Sequence, residues 1–180
     1  MKEEFDMLTK QGTWKLAKLP DRRRVTSGKW VYKKKRDADG RVKHFKARWV
    51  ARGFTQLFRT DYHDTYAPTA KPSTIHTVIG IATARGWKIW QIDFVLAFLQ
   101  GLFYNSEVIY MEQPHRHEDR TDRVCKLLLP IYRLKQSTRN WYITFRKKAA
   151  KAGLVPCKSD KCLFTILSRL MLVLHVERHC

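Results

Sequence analysis

Residues 29–51 read KWVYKKKRDADGRVKHFKARWVA, and this stretch decides the fold. Trp30 and Tyr32 alternate with Lys29, Val31 and Lys33, the period-two pattern of a strand with two unlike faces. Asp37-Ala38-Asp39-Gly40 interrupts the pattern with residues that favour tight turns. His44 to Ala51 then resumes an extended run. The stretch predicts a β-hairpin, and a heavily cationic one. Lys33, Lys34, Lys35 and Arg36 load the first arm, and Lys43, Lys46 and Arg48 the second.

Working outward from the hairpin, residues 1–12 predict a short helix with Phe5 and Leu8 on one face. Residues 60–71 carry Pro68 and many short polar side chains and read as a loop. Pro72 and Ser73 open a helix with Ser73 as its N-cap, Ile75, Val78, Ile79 and Ala82 as its buried face, and Gly86 at its end. Residues 87–93 read as a buried strand, residues 94–99 as a short helix. Short strands follow over 108–112 and 124–129, with a polar loop at 115–123. A helix spans about 139–152 before Gly153, and 161–166 with 171–176 predict a second hairpin. Strands and helices mixed without strict βαβ alternation argue for an α+β fold.

The chain has 180 residues, 36 Lys and Arg against 16 Asp and Glu, and a net charge of +20. Its 44% hydrophobic and 12% aromatic content excludes a disordered tract, and its few glycines and prolines exclude a collagenous or low-complexity one. No apolar run approaches the roughly 18 residues of a membrane span, and the charged start carries no secretory h-region. Four cysteines in this length suggest no disulfide framework, so a reducing compartment is expected. The excess charge points to polyanions, with nucleic acid first. A second basic cluster, Lys135, Arg139, Arg146, Lys147, Lys148 and Lys151, is threaded with Trp141, Tyr142 and Phe145 as the hairpin is with its own aromatics. Stacking platforms beside phosphate-seeking cations suit a nucleic-acid channel.

One carboxylate stands out. Asp93 closes the apolar run Ile89-Trp90-Gln91-Ile92, where it is costly unless paired or bound to a cation. It is either a cap for the following turn or a divalent-metal ligand in a basic cleft, as in phosphoryl transfer.

These blocks, in this order, resemble the reverse-transcriptase domain of copia-type long-terminal-repeat retrotransposons. Gly12-Thr13-Trp14 is similar to the family's GTW segment, residues 45–56 (FKARWVARGFTQ) to YKARLVAKGFTQ, and Tyr66-Ala67-Pro68-Thr69-Ala70-Lys71 to the end of DYxETFSPVAK. Residues 91–101 (QIDFVLAFLQG) resemble QLDVKNAFLHG, residues 108–114 (VIYMEQP) EVYMEQP, and residues 134–142 (LKQSTRNWY) LKQAPRAWY. The resemblance implies a right-hand polymerase fold, with a fingers-like region over 1–86 and a partial palm over 87–180, the two interleaving around 115–150. It implies Asp93 as the first metal-binding aspartate, for Mg²⁺. It implies Phe98 under the incoming sugar, Gln136 against the incoming nucleotide, and Lys46 and Arg48 toward its triphosphate. An RNA template, a DNA primer and deoxynucleotides are the implied partners, with no membrane. Lys33, Lys35, Arg139 and Lys147 are the cations expected to follow nucleic acid.

The sequence departs from the family pattern near residue 175. His175-Val176-Glu177-Arg178 stands where the catalytic Tyr-Val-Asp-Asp is expected, so Glu177 would replace one aspartate and Arg178 the other. A positive charge at a metal site should remove most two-metal catalysis. The chain stops at Cys180, so a thumb is expected to be absent. Arg133 replaces the glycine of a YGLKQ turn, where a positive φ would strain it. An inactive polymerase copy is the expectation, and a non-catalytic basic nucleic-acid-binding module the alternative. Cys157, Cys162, His175 and His179 also have the spacing of a two-Cys, two-His zinc finger, although Cys162 falls within a block the resemblance already explains.

Overall fold

A computed structural model describes residues 1–104, 107–166 and 169–176. The elements run α1 (Lys2–Lys10), β1 (Trp14–Ala17), β2 (Val25–Thr26), β3 (Gly28–Arg36), β4 (Val42–Ala51), α2 (Pro72–Ala84), β5 (Tyr110–Met111), β6 (Val124–Leu127), α3 (Ser137–Lys151), β7 (Val155–Pro156), β8 (Leu163–Ile166) and β9 (Leu170–Val173). Single 3₁₀ turns lie at Gly53–Thr55 and Ala97–Gln100. The fold is α+β.

β3 and β4 form the expected hairpin, with Lys33 opposite Lys46 and Trp30 opposite Trp49. Its turn is closed by the Asp37 side chain, whose Oδ1 accepts the Arg41 N–H at 2.9 Å. A second sheet has the order β1-β6-β5-β2, and a third the order β7-β8-β9. The four-stranded sheet draws strands from both sides of residue 86. So does the first core, which joins Leu8, Trp49 and Ala51 to Leu99, Ile109, Met111, Cys125 and Ile131. The second core packs Trp141, Tyr142, Phe145 and Ala149 of α3 against Phe164, Leu174 and Val176.

Four local expectations are corrected. Residues 87–94 form no strand, and the segment is exposed, with Trp90 82% accessible. An apolar run becomes a strand only when a neighbour completes its ladder, and β7, β8 and β9 pair among themselves. Asp93 therefore lies in exposed irregular backbone rather than at the end of a core strand. Ile79 is exposed, so the buried stripe of α2 is narrower than its apolar residues suggest. The N-cap of α2 is Lys71 instead of Ser73, with Pro72 in the first turn, because Pro supplies a ready helical φ and needs no N–H there. The capping acceptor comes from far along the chain: Asp160 Oδ2 accepts the Lys71 N–H at 3.1 Å and the Thr74 hydroxyl at 2.6 Å.

The turn at Arg133 has the positive φ expected of it, 67°. Its neighbour across the chain explains why the backbone keeps that shape. A Cβ on Gly53 would stand 2.3 Å from the Arg133 carbonyl oxygen, and the Ala51 N–H donates to the Tyr132 carbonyl at 3.0 Å. The turn is thus held by the base of the hairpin, whatever its side chain. Leu96 repeats the pattern with φ 56°, at the position where the similar family block has asparagine. Left-handed backbone costs a non-glycine residue roughly 1–2 kcal/mol, and glycine returns about half of that through the freer unfolded chain. Arg133→Gly is therefore expected to stabilise the protein by about 0.5–1 kcal/mol, read as a higher urea midpoint at unchanged slope. A lower midpoint would show that the arginine side chain contributes more than its strain removes.

Candidate functional site

Residues directly opposite on an antiparallel pair share a face. The register therefore gives the hairpin one face with Val31, Lys33, Lys35, Arg48, Lys46 and His44. The other face carries Trp30, Tyr32, Lys34, Trp49, Ala47 and Phe45. The cationic face meets two loops at its base. The Arg48 guanidinium stands 4.9 Å from the centre of the Tyr132 ring. The Phe98 ring meets the same Tyr132 ring edge-on, 5.6 Å away. Tyr132 thus joins two residues that the sequence places fifty apart.

Charge ties α1 to this cluster. Burial, then the neighbouring charges of Arg48 and Lys35, hold the Lys46 ammonium below its usual range, against the opposite pull of Glu4 and Asp93. Burial pushes the Glu4 carboxyl up, opposed by Arg48, Lys46 and the Trp49 N–H. Glu4 Oε1 and Arg48 Nε are both buried with no hydrogen-bond partner among the described residues. Arg48 Nε–H is thus an unpaired donor held inside the protein beside mutually repelling cations.

The structure thus brings together Lys46, Arg48 and Phe98, with Lys33 and Lys35 further along the same cationic face. It does not bring Gln136 to them. Gln136 is wholly buried, donating to the Asp61 carbonyl at 2.9 Å and accepting from Gln56 Nε2 at 3.1 Å. Its amide locks the loop after the hairpin onto the start of α3. Arg139 donates from Nε to Asp64 Oδ2 at 2.8 Å, and Lys147 lies 4.5 Å over the Tyr104 ring, so these two of the five α3 cations have partners within the chain. Glu177 lies outside the described residues. Tyr132 and Glu4 are the members of the cluster that sequence reading missed. Tyr132 carried a usable signal, as the aromatic immediately before the strained turn. Glu4 carried none that separates it from Glu3 or Asp6.

Cys162 is fully buried and its thiol is pushed up to about 11 by burial and the charge of Asp160. Cys157 Sγ lies 3.2 Å from the Ser159 hydroxyl, whose hydrogen bond holds that thiol below its usual range. His175 is exposed, and His179 lies outside the described residues. Among the described residues, no group of three or more His, Cys, Asp or Glu side chains is placed to hold a metal ion. No described helix is long and apolar enough to cross a membrane.

Comparison with known proteins follows the same residues. A model of the family described as reverse transcriptase (RNA-dependent DNA polymerase) matches residues 11–178. The retrovirus-related Pol polyprotein from transposon TNT 1-94 of Nicotiana tabacum is 37% identical over 166 residues, covering 91% of this chain and 12% of that protein. The Pol polyprotein from transposon RE2 of Arabidopsis thaliana is 39% identical over 157 residues, 86% of this chain and 11% of its own length. The truncated transposon Ty1-A Gag-Pol polyprotein of Saccharomyces cerevisiae is 31% identical over 173 residues, covering 90% of this chain and 13% of that protein. The chain therefore spans about an eighth of the length of these relatives. No solved structure matches it.

Proposed function

The chain belongs to the reverse transcriptase (RNA-dependent DNA polymerase) family, in its copia-type retrotransposon branch, and from that premise we propose that its cationic cleft binds a deoxynucleoside triphosphate beside a nucleic-acid template but does not extend a primer. The observation that carries this reading is the meeting of Arg48, beside Lys46 on the cationic hairpin face, with Tyr132 and Phe98 from two other segments. Lys46 and Arg48 take the triphosphate. Phe98, braced by Tyr132, lies under the sugar. Lys33 and Lys35, with Arg139 and Lys147 on α3, follow the template backbone. In this reading residues 1–86 serve as the fingers-like region and 87–180 as a partial palm, sharing the four-stranded sheet.

Members of the family work with a divalent metal ion, and Mg²⁺ is the ion the reading would assign. The described residues do not fit a two-ion set. Asp93 offers a single exposed carboxylate, and the sequence has Arg178 where the second aspartate of the family's pair is expected. No step is assigned to a metal, and the proposal is a binding protein built on a polymerase scaffold.

Primer extension on an RNA template with Mg²⁺ and deoxynucleotides tests it, beside an Asp93→Ala control. The expected result is no product above the control, with primer–template binding that falls steeply as salt rises. Extension that vanishes in the Asp93→Ala variant would overturn the loss of catalysis. Absence of salt-sensitive binding would overturn the binding role.

A further inference from the structure

Tyr132 is attached to the hairpin at two points. Its carbonyl accepts the Ala51 N–H at 3.0 Å, and its ring lies 4.9 Å from the guanidinium of Arg48, earlier on the same strand β4. The next residue, Arg133, has a left-handed φ of 67°, and its carbonyl oxygen packs on Gly53 so closely that a Cβ there would not fit. The backbone that aims the Tyr132 ring is therefore fixed by the base of the hairpin. The same ring meets Phe98 with centroids 5.6 Å apart and planes at 87°, the edge-to-face arrangement that aromatic pairs favour. Phe98 belongs to another segment, the 3₁₀ turn Ala97–Gln100, and packs against the second core, whereas Trp49 and Ala51 of β4 lie in the first. One ring thus supports a cation held by the first core and an aromatic held by the second.

From this shared support of Arg48 and Phe98 on one ring, we propose that Tyr132 is a positioning residue that makes the phosphate and sugar contacts of a bound nucleotide cooperative. It acts through Arg48 and Phe98, not by touching the nucleotide. A triphosphate that engages Lys46 and Arg48 keeps the guanidinium over the Tyr132 ring. The ring kept in place holds Phe98 against the sugar. Immobilising a side chain on binding has an entropic cost, and a ring shared by two contacts is immobilised once for both. The π system carries the effect and the hydroxyl does not, because the cation contact and the edge-on contact are both contacts of the ring. This rests on the nucleotide reading above and adds the residue that links its two halves.

A double-mutant cycle tests it, read by fluorescence anisotropy of the full chain with a deoxyuridine triphosphate that carries a fluorophore on its base. Arg48→Ala and Phe98→Ala are each expected to weaken binding. The double variant should bind roughly 2- to 150-fold better than the product of the two losses, the range for residues that share a partner. In a Tyr132→Leu background, which fills the space without a ring, the two losses should simply multiply. Tyr132→Met serves as a second ringless background, and circular dichroism shows that each variant is folded. Tyr132→Phe should restore the coupling. A merely structural role for Tyr132 would lower affinity in every background and leave the coupling unchanged. Coupling that survives in the ringless backgrounds, losses that already multiply in the wild type, or no return in Tyr132→Phe would each overturn the positioning role while leaving the nucleotide reading standing. Failure of the wild type to bind the nucleotide would overturn both.

Discussion

Replacing Trp49 by alanine is expected to lower the unfolding free energy by about 4 kcal/mol, the largest effect of any single substitution considered. The indole is 1% exposed at the base of β4. It meets Trp30 at 5.4 Å between ring centroids and the His115 ring edge-on at 6.1 Å. Its fit against the opposite strand is close enough to require a glycine. A Cβ on Gly28 would stand 2.2 Å from Trp49 Cζ2 and 2.5 Å from Met111 Cε. Nothing nearby can collapse into the space the ring would leave, since Leu8, Ile109 and Met111 are already close-packed around it. For a chain of this length, about 4 kcal/mol corresponds to a fall in Tm of roughly 8–16 °C. Urea unfolding of the variant measures it, and a change below about 1 kcal/mol would show that the hairpin is not anchored by this ring. Because the same strand carries Lys46 and Arg48, the loosened hairpin should also bind nucleotide more weakly.

Asp160→Ala is expected to cost about 3 kcal/mol, and to do so at the other core. The carboxylate is buried, and it accepts from the Lys71 N–H, the Thr74 hydroxyl and, at 2.9 Å, the Cys162 N–H. It joins the first turn of α2 to the approach to β8, two pieces almost ninety residues apart. Hydrogen bonds to a charged group contribute about 1.5–3 kcal/mol each, and removing the acceptor leaves its donors unpaired. The pH dependence has a definite sign. Burial raises this carboxyl, but the hydrogen bonds from Thr74, Cys162 and Lys71, with the charge of Lys71, outweigh it and hold the group below its usual range. A folded-state value below the unfolded one, near 3.9, means the contribution is complete above the unfolded value. It is lost as pH falls through the folded one. Wild-type stability should therefore drop below about pH 4 more steeply than that of Asp160→Asn. Parallel curves for the two proteins would refute the assignment.

These two residues show how unevenly the fold could be read beforehand. The hairpin of Trp49 was legible residue by residue, because alternation, a four-residue turn signal and β-rich flanks are local and reinforce one another. Helix α3 was legible for the same reason. Asp160 was not, since a cap supplied from ninety residues away leaves no local pattern. Residues 87–94 failed in the opposite direction. Their composition is that of a buried strand, but a strand exists only through its partner, and composition cannot show that the partner is engaged elsewhere.

The candidate site divides along the same line. The sequence by itself determined the family, the cationic character of the hairpin, Asp93, Phe98, Lys46 and Arg48 as the residues to examine, and Arg178 at the position expected of an aspartate. These are properties of order and identity along one chain. Only the tertiary structure decided that Tyr132 is the joint between Arg48 and Phe98, that Gln136 is sealed into the interior, and that Tyr32 and Phe45 stand open on the far face of the hairpin. Burial and contact depend on which surfaces meet, and those meetings are set by packing between segments far apart in sequence, where periodicity carries no information.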